Sequence, residues 1–72
     1  MTKDTFSLKP TDEFIELIKL LKLKDIAQSG GHAKMIVEQG IVTVNGEQEF
    51  RKRMKLRPGD VVQVEGKVIE VA

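Results

Sequence analysis

The stretch Ser29-Gly30-Gly31-His32-Ala33-Lys34-Met35-Ile36-Val37-Glu38-Gln39-Gly40, continued by Ile41-Val42-Thr43-Val44-Asn45-Gly46, decides how this chain is read. Its first half has the marks of a helix. Ser29 is a good N-cap because its side-chain oxygen can accept a backbone N–H of the first turn. Ala33, Ile36 and Val37 recur at three- and four-residue spacing, which makes one buried stripe. Gly40 stops the helix, since the residue beyond a C-cap commonly takes a left-handed conformation. The second half changes period: Ile41 to Val44 is β-branched and alternates as a strand does. Asn45-Gly46 is a strong hairpin signal, because both central positions of a type I′ turn need positive φ. Glu47 to Phe50 is therefore expected to return as the partner strand.

Beyond that hairpin comes Arg51-Lys52-Arg53-Met54-Lys55-Leu56-Arg57, and residues 50–59 contain no acid. Pro58-Gly59-Asp60 makes a further turn. Val61 to Val64 and Val68 to Val71 then form a second hairpin about Glu65-Gly66. On the other side of the opening stretch, Asp25-Ile26-Ala27 reads as a short connector. Before it, Phe14, Leu17, Ile18 and Leu21 repeat with helical spacing, so a first helix is expected from about Asp12 to Leu21 or Lys22. Thr11 or Asp12 offers its N-cap, and Asp12, Glu13 and Glu16 suit the positive end of its dipole. Phe14 is assigned to the core by this spacing. Thr5 to Leu8 alternates and stops at Pro10, as a short edge strand would. The sum is an α+β fold, with two packed helices against a small, mostly antiparallel sheet.

Composition narrows the functional classes. A chain of 72 residues is expected to form a single domain over 1–72 that buries about 60% of its unfolded surface, too little for a deep substrate cleft. With no cysteine and one histidine, neither a disulfide framework nor an ordinary zinc site can be built, and no cofactor is expected. No apolar run reaches a membrane span, and Met1 to Lys9 lack the apolar core of a secretory signal, so a cytoplasmic location is the default expectation. The net charge is only +1, which by itself implies no polyanion partner. The charge is segregated, however, and a basic patch can exist on a nearly neutral molecule.

Three groups of residues carry the functional reading. Ser29, Gly30, Gly31 and His32 open a helix whose exposed N–H groups and dipole favour an anion, and the glycines let it approach the backbone. The same residues also serve as an ordinary cap and turn. His32 has no nucleophile or orienting partner in the sequence, so a solvated first-turn residue is the simpler reading than a base. Lys34 precedes Glu38 by four residues, the weaker order for a helical ion pair, which leaves Lys34 free for an external partner. Arg51, Lys52, Arg53 and Lys55 lie too close to one another to be neutral bystanders unless something anionic offsets them. Lys22, near the end of the first helix, stands between stabilising that helix's negative pole and joining the basic surface.

The order of a Ser-x-x-x-Ala-Lys helix, Gly40, Val42-x-Val44-Asn45-Gly46 and Pro58-Gly59-Asp60-Val61-Val62 resembles the S-four RNA-binding domain, the module named after the fourth small-subunit ribosomal protein. The likeness covers roughly Phe14 to Val64. Leu20-Leu21-Lys22-Leu23, Ser29-Gly30-x-x-Ala33-Lys34 and Arg51-Lys52-Arg53-x-Lys55 are similar to the small stand-alone bacterial proteins of the YbcJ type. The resemblance implies the alpha-L RNA-binding motif and non-enzymatic binding of folded RNA, often ribosomal or transfer RNA. The family usually has arginine after the serine. Here that position is Gly30, so one expected phosphate contact does not carry over.

Only Phe6, Phe14 and Phe50 are aromatic, which leaves almost no ring on which bases could stack. Phosphates and 2′-hydroxyls of a duplex or junction are the expected targets, with shape favoured over sequence. The expected protein is a monomer whose partner is structured RNA, with the ribosome or an RNA-processing protein as a wider partner. The alternative is a protein-interaction module, or an accessory subunit of an RNA-modifying complex, whose basic surface meets an acidic protein.

Overall fold

The computed structural model of the chain describes residues 2–72, in the order β1 (Thr2–Phe6), β2 (Ile15–Glu16), α1 (Leu17–Leu23), α2 (Gly30–Glu38), β3 (Val42–Val44), β4 (Glu47–Gln48), β5 (Lys55–Leu56), β6 (Val61–Val64) and β7 (Lys67–Val71). Five strands form one sheet in the order β1-β7-β6-β3-β4, and β2 pairs with β5 separately. Only the β1–β7 pair of the larger sheet is parallel. The α+β architecture with two helices and a mostly antiparallel sheet is therefore present as expected.

The period-2 pattern of the valine-rich strands decides which side of the sheet is buried. Val42 sits opposite Val64, Val44 opposite Val62, and Val62 opposite Ile69. All five are buried, whereas the alternate residues Thr43, Gln63 and Val68 are exposed or half-buried. Leu17, Leu20 and Leu21 of α1 and Ala33, Ile36 and Val37 of α2 pack onto this side, and Ile15, Ile26, Ala27, Leu56 and Val71 complete the core. Asn45 and Gly46 have φ of 53° and 84°, the left-handed pair that the hairpin needs, and Glu65-Gly66 repeats it at 49° and 77°. Asn45 also ties two turns together. Its side-chain amide donates to Asp60 Oδ1 at 3.0 Å, and its carbonyl oxygen accepts from the Val61 N–H at 2.9 Å.

The first helix differs from its expectation. It begins at Leu17, not Asp12, and Thr11 and Asp12 do not cap it. Residues Ile15 and Glu16 are drawn into β2 by pairing with Leu56 and Lys55. The N–H groups of Leu17 and Ile18 then donate to the carbonyls of Met54 and Lys52 at 2.9 and 3.1 Å, so a distant segment caps the helix. Phe14 consequently lies outside the buried core and is only half-buried. At the other end, Asp25 takes a left-handed φ of 57°. Its N–H donates to Lys22 and that of Ile26 to Leu21, the double closure of a Schellman motif. The expected connector is thus a helix stop.

Two strand boundaries also move. The edge strand lies at Thr2–Phe6, earlier than Thr5 to Leu8, because it follows β7 in register from Lys67 to Val71. Lys24, from the end of α1, holds it by reaching Asp4 Oδ2 at 2.9 Å and the Thr5 carbonyl at 3.1 Å. That contact holds the Asp4 carboxyl below its ordinary value, through the hydrogen bond from Lys24. The return strand β4 stops at Gln48, so Phe50 leaves the sheet and is exposed.

Candidate nucleic-acid interface

The basic segment is a strap and not a continuous strand. Arg51 to Met54 forms a turn closed by the Met54 N–H donating to the Arg51 carbonyl at 3.1 Å, and the chain becomes extended only at Lys55–Leu56. The strap is held at three places. Leu56 is fully buried, the carbonyls of Lys52 and Met54 bind the start of α1, and Phe50 lies against Gly40 at the end of α2. Because backbone carbonyls and one leucine do the anchoring, most cationic side chains are left to solvent. Arg53 and Lys55 are exposed, and among the described residues neither has a carboxylate within ion-pair distance. Arg51, Arg53, Met54 and Lys55 line one shallow depression.

Arg51 behaves differently from its neighbours. Its Nε donates to Glu49 Oε2 at 2.9 Å and its Nη2 to Oε1 at 3.2 Å, and its backbone N–H donates to the same carboxylate at 2.9 Å. The Arg51 hydrogen bonds hold the Glu49 carboxyl below its ordinary value although burial opposes this, and Arg51 is raised in turn. The run without acids is therefore offset from just outside by Glu49. Lys52 is half-buried. Lys55 Nζ sits 5.0 Å from the centre of the Phe14 ring and Arg57 Cζ 6.0 Å from it, within cation–π range, so the displaced Phe14 steadies two cations.

The start of α2 forms as the sequence suggests. Ser29 Oγ accepts the His32 N–H at 3.1 Å, and His32 Nδ1 accepts the Gln28 N–H at 3.1 Å. Ser29 thus caps the first turn in the usual way, while His32 reaches back past it to the residue before the cap, a relative of the capping box displaced by one residue. His32 is thus occupied at Nδ1 and half-buried. Neither Gly30 nor Gly31 has a left-handed φ, and a side chain added at Gly30 would meet nothing within 4 Å. Fold does not demand glycine at Gly30. An open backbone is what the residue provides.

Arg51, Arg53 and Lys55 are brought together, whereas Ser29 to His32 lie at the other end of α2 from Gly40 and Phe50. A helix of 9 residues places its ends about 13 Å apart. Lys34 is exposed between them along the axis and has no carboxylate partner among the described residues. Lys22 is exposed in the last turn of α1, at the opposite end of that helix from the strap. Sequence reasoning missed three contributors: Glu49 as the partner of Arg51, Phe14 beneath Lys55 and Arg57, and the exposed Phe50. The nearness of Glu49 to Arg51 in the chain was available as a signal for the first. The other two depend on where the strap lies.

Residues 8–72 match the model of the S4 domain family. The chain is 48% identical over 54 residues to the "Probable ribosome maturation protein RlbA" of Bacillus subtilis, covering 75% of this chain and 76% of that one. It is 40% identical over 67 residues to YbcJ of Escherichia coli, named as a candidate RNA-binding protein, covering 93% and 94%. The solution structure of E. coli YbcJ, described as revealing an alfaL motif involved in RNA binding, superposes with a TM-score of 0.69 over 94% of this chain and 85% of that one. Ribosomal protein S4e of Thermoplasma acidophilum, 24% identical, shares the fold at a TM-score of 0.61 over 81% of this chain and 31% of its own. With the matched region reaching from Leu8 through both helices and both hairpins, the chain belongs to the S4 domain family.

Proposed function

We propose that this chain is a non-enzymatic RNA-binding unit that docks folded RNA on the strap. The observation that carries the reading is the shared depression of Arg51, Arg53 and Lys55, two of whose cations have no carboxylate partner among the described residues. Because the backbone of the strap is already fixed, only its cationic side chains have to be ordered on phosphates, which lowers the entropic cost of binding. Arg53 and Lys55 are assigned the main phosphate contacts, with Lys52 of the same segment and Lys34 of α2 as further cations. Arg51 contributes through Nη1, since Nε and Nη2 are engaged by Glu49 and Nη2 also by the Met54 sulfur. Ser29, Gly30, Gly31 and His32 form a second anion point at the far end of α2, and Lys22 lies at the margin. The names of the relatives, a ribosome maturation protein and a candidate RNA-binding protein, support ribosomal RNA as the partner class and the ribosome as the setting.

The test is the salt dependence of affinity for a structured ribosomal RNA fragment. Release of counterions from about four or five phosphates makes the log–log slope roughly −3 to −4. A flat dependence, or recovery from cells of a stoichiometric protein partner that resists nuclease in place of RNA, would overturn the reading.

A further inference from the structure

Phe50 is 56% exposed, although an aromatic ring of this size is ordinarily a core residue. Its surroundings show that the exposure is held in place. The residue before it is fixed by the Glu49 N–H donating to the Val42 carbonyl at 2.9 Å, and the residue after it by the Arg51 N–H donating to Glu49 Oε2 at 2.9 Å. One edge of the ring rests on Gly40, where a Cβ would come within 2.9 Å of Cε1 and 3.1 Å of Cζ. Gly40 has a φ of 75°, so that position is doubly suited to the absence of a side chain. The ring is thus supported from below and bracketed in the chain by a fixed carboxylate–guanidinium pair. It is immediately followed by the strap.

We propose that Phe50 is a stacking platform for one unpaired base of the bound RNA, whose flanking phosphates lie on Arg51, Arg53 and Lys55. The inference rests on the RNA-binding reading and narrows its substrate to helical RNA carrying an unstacked nucleotide. Every base has a π-face, so a lone phenylalanine beside cations recognises an unpaired nucleotide without reading its identity. A fully paired duplex offers the strap its phosphates and leaves Phe50 uncovered. Arginine neighbours favour a nucleic acid over an apolar peptide, which would place its own uncharged surface against Arg51 and Arg53.

The experiment compares two short RNA hairpins, identical except that one carries a single bulged adenosine, against the wild-type chain, Phe50→Leu and Phe50→Trp. Affinities are measured at one salt concentration, thermal unfolding checks each variant, and the ring protons of Phe50 are followed by NMR during titration. The wild type is expected to prefer the bulged hairpin by about 5-fold or more, the scale of one base–aromatic stack. Its Phe50 ring signals should shift upfield with that hairpin only. Phe50→Leu, judged by the ratio of its two affinities, should lose the preference, and Phe50→Trp should retain it. Equal binding of both hairpins by the wild type, or an unchanged preference in folded Phe50→Leu, overturns the platform and leaves phosphate binding by the strap standing. Failure of the wild type to bind either hairpin at any salt overturns the RNA reading together with it.

Discussion

The two ends of α2 use their polar groups in opposite ways. At its start, Ser29 and His32 spend their side chains on the chain's own backbone, and what faces outward is the open backbone of Gly30 and Gly31. At its end, the strap from Phe50 to Leu56 is anchored by carbonyls and a buried leucine, and what faces outward is side chains, Arg53 and Lys55 above all. Both ends can meet an anion, but with different strength and reach. Two backbone N–H groups and a helix dipole act only within the first turn, whereas full cationic charges act over a Debye length of about 8 Å at physiological salt. The lesson is that a charge run becomes a binding surface when something other than its charges holds it in place.

The sharpest way to break this contrast is to remove the anchor of the strap. Leu56 is fully buried, and Leu56→Ala should cost about 2–5 kcal/mol, a large part of the roughly 4–11 kcal/mol expected for a chain of this length. Denaturant unfolding should show that loss, and RNA affinity should fall with it. An unaltered midpoint would mean that the strap is not a structural element. Next in size, Arg53→Ala combined with Lys55→Ala should leave the thermal midpoint nearly unchanged and reduce the magnitude of the salt slope by about two, because two phosphate contacts disappear. If the slope does not change, the strap is not the contact surface.

A smaller effect separates the other end of the helix. Ser29→Ala should cost about 1 kcal/mol through loss of the N-cap, lowering the midpoint by about 4–8 °C while RNA affinity stays within about twofold. An affinity loss as large as that of the double strap variant would move the main site to the helix start. The smallest effect concerns Glu49. Its carboxyl sits below its ordinary value of 4.5 in the folded chain, so its contribution to stability is present above that value and declines as pH falls through the lowered one. Arg51→Ala should flatten that part of the acid unfolding profile measured by thermal midpoint. An identical profile in the variant would show that the Glu49–Arg51 pair has no part in acid stability.

Much of the architecture was legible in the chain because it rests on short-range rules. The cap at Ser29, the stop at Gly40 with its φ of 75° and the reversal at Asn45-Gly46 each depend on groups within a few residues of one another. The resemblance carried by Asn45, Pro58, Gly59 and Asp60 is also a statement about fold, since Asn45 joins the two turns by bonding Asp60 and Val61. The candidate site was less legible. Arg51, Arg53 and Lys55 could be named; the match of Arg51 with Glu49 had only their nearness in the chain as a signal, and the place of Phe14 under Lys55 had none.

By itself, then, the sequence determined two helices, two hairpins and the segregation of charge, because φ preferences, side-chain caps and hydrophobic period all act locally. Only the tertiary structure decided where α1 begins, which aromatic ring stays in water and which cations remain unmatched. The first of these follows from the pairing of Ile15–Glu16 with Lys55–Leu56, two segments distant in the chain, whose hydrogen bonds displaced the helix start that the local pattern favoured.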